Sequence, residues 1–201
     1  MKLVVSAVAA MALIFSISAP ANSAEPSCAE GGLCVVGDVG PGGGTVFYVS
    51  NKPKKWGQYI EVAPNGWNRG RPDQNVEPFC YQRPDPRYPL IRTSPKIGTG
   101  KSNTNRLVKI CKDGAAAFAR SYRGGGLGGW SLPSKDEFDE LYFVAAGKYI
   151  SMNDGYPWYF SSTTDGGAVS SFYVGYESWD GSFASSNDAH VRPVRHFKPS
   201  K

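Results

Sequence analysis

Between Trp67 and Lys101 the chain interleaves cations with aromatic rings. Arg69, Arg71, Arg83, Arg87, Arg92, Lys96 and Lys101 alternate with Trp67, Tyr81 and Tyr88. Guanidinium groups pair bidentately with sulfate or phosphate, and flat aromatic faces stack on sugar rings. These residues, with Trp179, form the candidate ligand-binding set. A late aromatic cluster, Trp158, Tyr173, Tyr176 and Trp179, is a second candidate surface; Trp158 is read as sheet core. The competing reading of the basic run is a solvated surface partly neutralised by acidic residues elsewhere.

Catalytic chemistry has little to work with. His190 and His196 are the only histidines. Even spacing would place them on one face of a strand, but Pro193 lies between them and no nucleophile is placed beside them. Arg192 and Arg195 fall on opposite faces of that strand, so at least one is expected to be buried against a carboxylate such as Asp136 or Glu137. Calcium needs several converging oxygen ligands, and Arg71-Pro72-Asp73, Glu77-Pro78-Phe79 and Trp179-Asp180-Gly181 are incomplete matches to calcium-lectin triplets. Gly98-Thr99-Gly100-Lys101-Ser102 looks like the end of a phosphate-binding loop, yet the position that should carry the first glycine is Pro95. Gly37 to Gly44 is rich in glycine but is followed by a strand rather than a helix, so it reads as a tight turn with positive φ. The chain is expected to be no enzyme and to carry no cofactor and no metal.

The cysteines are Cys28, Cys34, Cys80 and Cys111. An even count suggests disulfides in an exported chain, with three connectivities open. Pairing near neighbours, Cys28 with Cys34 and Cys80 with Cys111, leaves no thiol free and is the expected arrangement. A zinc site is disfavoured, since no pair has CxxC spacing and histidine is scarce.

Met1-Lys2, the apolar run Leu3–Ile17 and the small residues to Ser23 read as a signal peptide over residues 1–23. Residues 24–201 then form a single domain, secreted or held in the cell envelope, with no membrane span after cleavage. The formal net charge of +5 is unevenly spread. Gly66–Lys112 carries ten Lys/Arg against three Asp/Glu, and Asp113–His190 carries four against ten.

The elements that must position these groups follow from periodicity. Thr45–Val49 and Gln58–Ala63 read as strands joined by the lysine-rich turn Asn51–Trp56. Asn65–Lys101 is a long loop in which prolines forbid regular helix and central strand. A helix is expected over Asn105–Tyr122, capped at Ser102 or Thr104, with Leu107, Cys111, Ala115, Phe118 and Tyr122 on one stripe. Its end is set by Gly124-Gly125-Gly126. Ser134 and Glu137 form a capping box ahead of a second helix with Phe138, Leu141, Tyr142 and Ala145 on one face. Trp130 and Leu132 are expected to staple that face. Strands follow at Trp158–Ser162, Ser171–Tyr176 and Val191–Phe197, with a hairpin turn at Asp180-Gly181. Strands, loop, two helices and more short strands define an α+β class.

In order along the chain, Val36-Gly37-Asp38 through Gly42–Tyr48, Glu61–Pro64, Ile97–Thr104, Trp130–Glu137, Tyr159–Thr163 and Val191–Arg195 resemble the Lcl C-terminal domain family, exported bacterial domains long described as of unknown function. The resemblance implies a C-type-lectin-like, sulfatase-modifying-factor-like fold. For the adhesin namesake it implies binding of sulfated glycans. This chain has no collagen-like repeat, and its proline-rich insert is long.

Together these features point to an exported, non-catalytic binding module that recognises sulfated or otherwise anionic polysaccharide, or a cell-envelope protein, in an adhesin-like role. The alternatives are a protein-binding or structural envelope protein and, behind it, an enzyme of unknown reaction. No nucleic-acid partner is expected.

Overall fold

The structure is a computed structural model, and it describes residues 25–68, 76–80, 91–147, 150, 152, 158–166, 168–183 and 188–200. The expected signal peptide lies outside them, as do Arg69, Arg71, Tyr81, Arg83, Arg87 and Tyr88 of the candidate set.

Two sheets and three helices make up an α+β fold. The first sheet holds β1 (Thr45–Val49), β2 (Tyr59–Val62), β9 (Val194–Phe197) and β4 (Trp130–Ser131) in that spatial order, every pair antiparallel. The second has β3 (Val76–Pro78), β8 (Asp188–His190), β5 (Trp158–Thr164), β6 (Val169–Tyr173) and β7 (Ser178–Phe183). Its pairs are antiparallel except β5 with β8. Helix α1 (Gly100–Ile110) packs on α2 (Ala115–Ser121), β4 and β5, while α3 (Lys135–Ala146) bridges the sheets by packing on β1 and β5.

β1 and β2 join as expected, through a turn closed by mutual backbone hydrogen bonds between Lys54 and Gly57. β2 is covered on both faces rather than alternating, because Ile60 and Val62 pack with Phe138 and Leu141 on one face while Tyr59 packs with Cys28, Cys34 and Phe197 on the other. The Ser134–Glu137 capping box forms: Ser134 Oγ accepts the Glu137 N–H at 3.3 Å, and Glu137 Oε2 accepts the Ser134 N–H at 2.9 Å. Phe138 and Leu141 are fully buried with Phe47, Ile60, Tyr159 and Phe172. Both expected disulfides, Cys28–Cys34 and Cys80–Cys111, are present.

Several expectations need correction. The single helix over Asn105–Tyr122 is two helices, because Cys111 turns extended and Gly114 takes φ +94°, a left-handed value that ends helical progression. The first begins at Gly100 with Thr99 at its N-cap, so neither Ser102 nor Thr104 is the cap; Thr104 Oγ1 instead accepts the Leu132 N–H at 3.1 Å. Leu132 belongs to the core under α1 and α2 with Leu107 and Phe160, and the Trp130 ring packs at a tilt 4.8 Å from Tyr122, so neither staples α3. Asp180-Gly181 lies inside β7, and the turn before it spans Val174–Glu177. Of the expected last strand only Val194–Phe197, after Pro193, is formed, in the first sheet with His196, while His190 ends β8 in the second sheet.

Removing the Glu137 carboxylate is expected to be far more harmful than removing its cap partner. Ser134→Ala should cost about 1 kcal/mol. Glu137→Ala leaves three backbone N–H groups and His196 without their buried acceptor and should cost about 3–5 kcal/mol. Urea unfolding of both variants checks the order.

Candidate functional site: a cationic groove between two helices

Two buried carboxylates set the frame of the site. Glu137 Oε1 accepts N–H groups from Gly98 at 2.8 Å and Gly100 at 3.2 Å, and His196 Nε2 lies 2.9 Å away. The N-terminus of α1 is a natural anion site, and an internal carboxylate fills it. Gly98 has φ +86°, and a Cβ there would sit 2.0 Å from the Trp56 ring, so the loop can close only with glycine. The other glycine-rich stretch behaves alike. Glu61 accepts the N–H groups of Gly42 and Gly44 and pairs with Arg195, its cross-strand neighbour in the β2–β9 register.

These contacts correct the expected arginine partners: Arg195 pairs with Glu61, while Glu137 takes His196, not an arginine. Arg192 is buried ahead of β9 at 1% exposure. His190, fully buried, packs its ring 5.0 Å from Tyr159. Both histidines are therefore sealed from any substrate. Cys80, Cys111 and Asp113 cluster closely enough to hold an ion, but the two sulfurs are joined in a disulfide and present no thiolate.

Four of the solvent-facing cations converge elsewhere. A groove of about 560 Å³ runs between the C-terminal end of α1 and α2, lined by Lys109, Lys112, Arg120 and Arg123 with Val108, Ala117 and Ser121. Among the described residues that line it there is no carboxylate. Arg123 is fixed there, its Nη1 donating to the carbonyls of Arg120, Ser121 and Tyr122 at 2.8–2.9 Å. It closes the end of α2, where a cation is favoured. Its guanidinium also lies over Gly128, where a Cβ would be 3.9 Å from the ion. Arg195 Nε donates to the Gly128 carbonyl at 3.2 Å, and Lys101 Nζ reaches to 3.4 Å from where a Cβ on Gly129 would stand. A belt of positive charge thus runs from the groove across the Gly128-Gly129 turn to Lys101. Lys101 and Lys109 stand about 12 Å apart along the helix axis.

Of the candidate residues read from sequence, Lys101 joins this belt. Arg92 and Lys96 are exposed on the segment that leads into α1. Burial, with the neighbouring Asp139 and Glu137, holds the Asp136 carboxyl of α3 above its ordinary value, against the opposing charges of Lys135 and Lys96. Trp67 is half-buried, 5.1 Å from Phe118 and 5.2 Å from Tyr122, so it supports α2 from beneath. Trp179 is likewise engaged internally: its Nε1 donates to Asp139 at 2.6 Å and its ring packs on Phe138 and Phe172. Sequence reasoning missed Lys109, Lys112, Arg120 and Arg123. The available signal was two cation pairs of i, i+3 spacing near helix ends, obscured by reading one continuous helix.

The chain matches no family model, no curated protein and no solved structure.

Burial pushes the Glu61 carboxyl above its ordinary 4.5, and Arg195 with the glycine N–H groups brings it part of the way back. A carboxyl raised in the folded state binds its proton more tightly than in the unfolded chain, so its contribution to stability falls as pH rises from 4.5 through the folded value. Arg195→Met removes the main opposing influence. It should raise the Glu61 value further and make stability fall more steeply with rising pH over a wider window, as read by thermal unfolding from pH 4 to 8.

Proposed function

We propose that the protein is an exported, non-catalytic binding module for anionic polymers, sulfated or otherwise acidic polysaccharide foremost, in the cell envelope or outside the cell. The observation that carries this reading is the α1–α2 groove: four cations around one concavity with no carboxylate in its described lining. Like charges are not gathered this way for stability, since they repel, and a partner of opposite charge relieves that repulsion. Both glycine-rich loops that could have cradled a small phosphate are filled by Glu61 and Glu137. That favours recognition by side-chain cations along a chain over capture of one small anion.

Export is supported by the leader-like residues 1–23 and by two disulfides, which persist in oxidising compartments. The α+β arrangement agrees with a C-type-lectin-like domain of the Lcl C-terminal kind. In further support, the sequence blocks that suggest this family meet in space: Glu61 with Arg195, and the Gly98–Gly100 loop with Glu137. Cys80, within the basic insert, is tied to Cys111, between Lys109 and Lys112 in sequence. A protein-binding role has one observation in its favour, an apolar groove of about 420 Å³ between β1 and α3 lined by Val36, Phe47, Tyr48 and Phe143.

Retention on immobilised heparin across a salt gradient separates these readings. The oxidised protein should bind and elute above physiological salt, because such contacts weaken as ions screen them. Lys109→Ala/Lys112→Ala/Arg120→Ala should lose affinity on the order of tenfold. Arg83→Ala/Arg87→Ala/Arg92→Ala measures the part played by the insert. Elution of the unmodified protein near physiological salt would overturn the proposal in favour of a protein partner.

A further inference from the structure

The late aromatic cluster divides in the fold. Trp179 turns inward, whereas Tyr176 stands 80% exposed on the turn between β6 and β7. It is nevertheless not loose. One face of its ring stacks on Tyr173 with centroids 4.8 Å apart and planes within 18°, and Tyr173 in turn meets Trp158 edge-on at 4.7 Å. The opposite face of Tyr176 is left to solvent.

The turn is built to hold that ring. Glu177 has φ +51°, the only positive value outside glycine among the described residues, and such a conformation costs about 1 kcal/mol or more in a residue with a side chain. Glu177 Oε1 accepts a hydrogen bond from Tyr142 Oη of α3 at 3.1 Å, which pins the turn to the helix. Gly175 lets the chain fold back: a Cβ there would press to 2.8 Å from Tyr173 Cε1. Backbone strain, a glycine and a side-chain tether all serve to keep one aromatic face flat and exposed. A ring fixed before binding loses little freedom on binding.

We propose that Tyr176 is a stacking platform for an uncharged, β-linked pyranose, forming a subsite distinct from the cationic groove. Such a sugar presents a face of axial C–H groups to an aromatic ring, while its rim of hydroxyls meets polar neighbours, here the exposed Glu177 and Ser178. The exposed feature is one ring wide with polar residues beside it, a poor match to the broad apolar centre of a protein interface. Stacking uses no ion pair, so binding here persists in salt that releases a polyanion from the groove.

The test is titration of the oxidised protein with chitohexaose, cellohexaose and laminarihexaose, followed by intrinsic fluorescence. At least one should bind, with little change between low and high salt. Tyr176→Ala should weaken it about tenfold, Tyr176→Trp should retain it, and Gly175→Ala should weaken it by displacing Tyr173. None of these variants should alter heparin retention, so the two sites fail independently. Failure of all three oligosaccharides, or binding unchanged in Tyr176→Ala, would overturn the proposal and leave the exposed ring to a protein partner.

Discussion

Two buried carboxylates, Glu61 and Glu137, hold this structure together, and one strand serves both. Adjacent residues of β9 point to opposite faces of their sheet. Arg195 meets Glu61 on one side and His196 meets Glu137 on the other. Each carboxylate also takes N–H groups from a glycine-rich loop, Gly42 with Gly44 and Gly98 with Gly100. A buried carboxylate without such donors would be untenable, and the loops without an acceptor would leave orphaned N–H groups. The requirements are mutual, so the β1 side of the first sheet, the start of α1, the cap of α3 and β9 are fixed by the same few atoms.

The cationic groove depends on that frame. Glu137 sets where α1 begins, and the Cys80–Cys111 disulfide with Gly114 sets where it ends. Because the chain breaks there instead of continuing as one helix, α2 lies back against α1. Lys109 and Lys112 then face Arg120 and Arg123 across a cleft. Leu107, Ala115, Ala116 and Ala119 bury the inner faces of both helices, so the charged ends have only the outer side to occupy. Trp67 meets Tyr122 edge-on and Tyr122 packs at a tilt on Trp130. Their role is to support the cleft.

Much of the frame was legible in sequence because it rests on local rules. The capping box at Ser134 and Glu137, the turn before Thr45 and the Cys28–Cys34 pair each follow from short-range chemistry, and the α+β class follows from the order of strands and helices. What escaped was set by contacts distant in sequence. Nothing in the residues around Glu61 announces that Arg195 will face it, and nothing around Gly98 announces that its N–H groups will meet a carboxylate. Pro193 was visible, but that His190 and His196 would lie on strands of different sheets depends on where Tyr159 and Tyr59 place their strands. The basic surface was half legible. Lys101 was named from composition, whereas Arg120 and Arg123 fall in the acidic half of the chain and become part of a basic site only when α2 folds against α1.

We propose that this inter-helix cleft, rather than the buried charges or the glycine loops, is where a polyanion binds. Amide chemical-shift mapping with a heparin hexasaccharide addresses it directly. The shifts should concentrate in Val108–Lys112, Ala117–Arg123 and Gly128-Gly129, and should shrink as salt is raised. Shifts confined to other parts of the surface, or shifts indifferent to salt, would contradict the account.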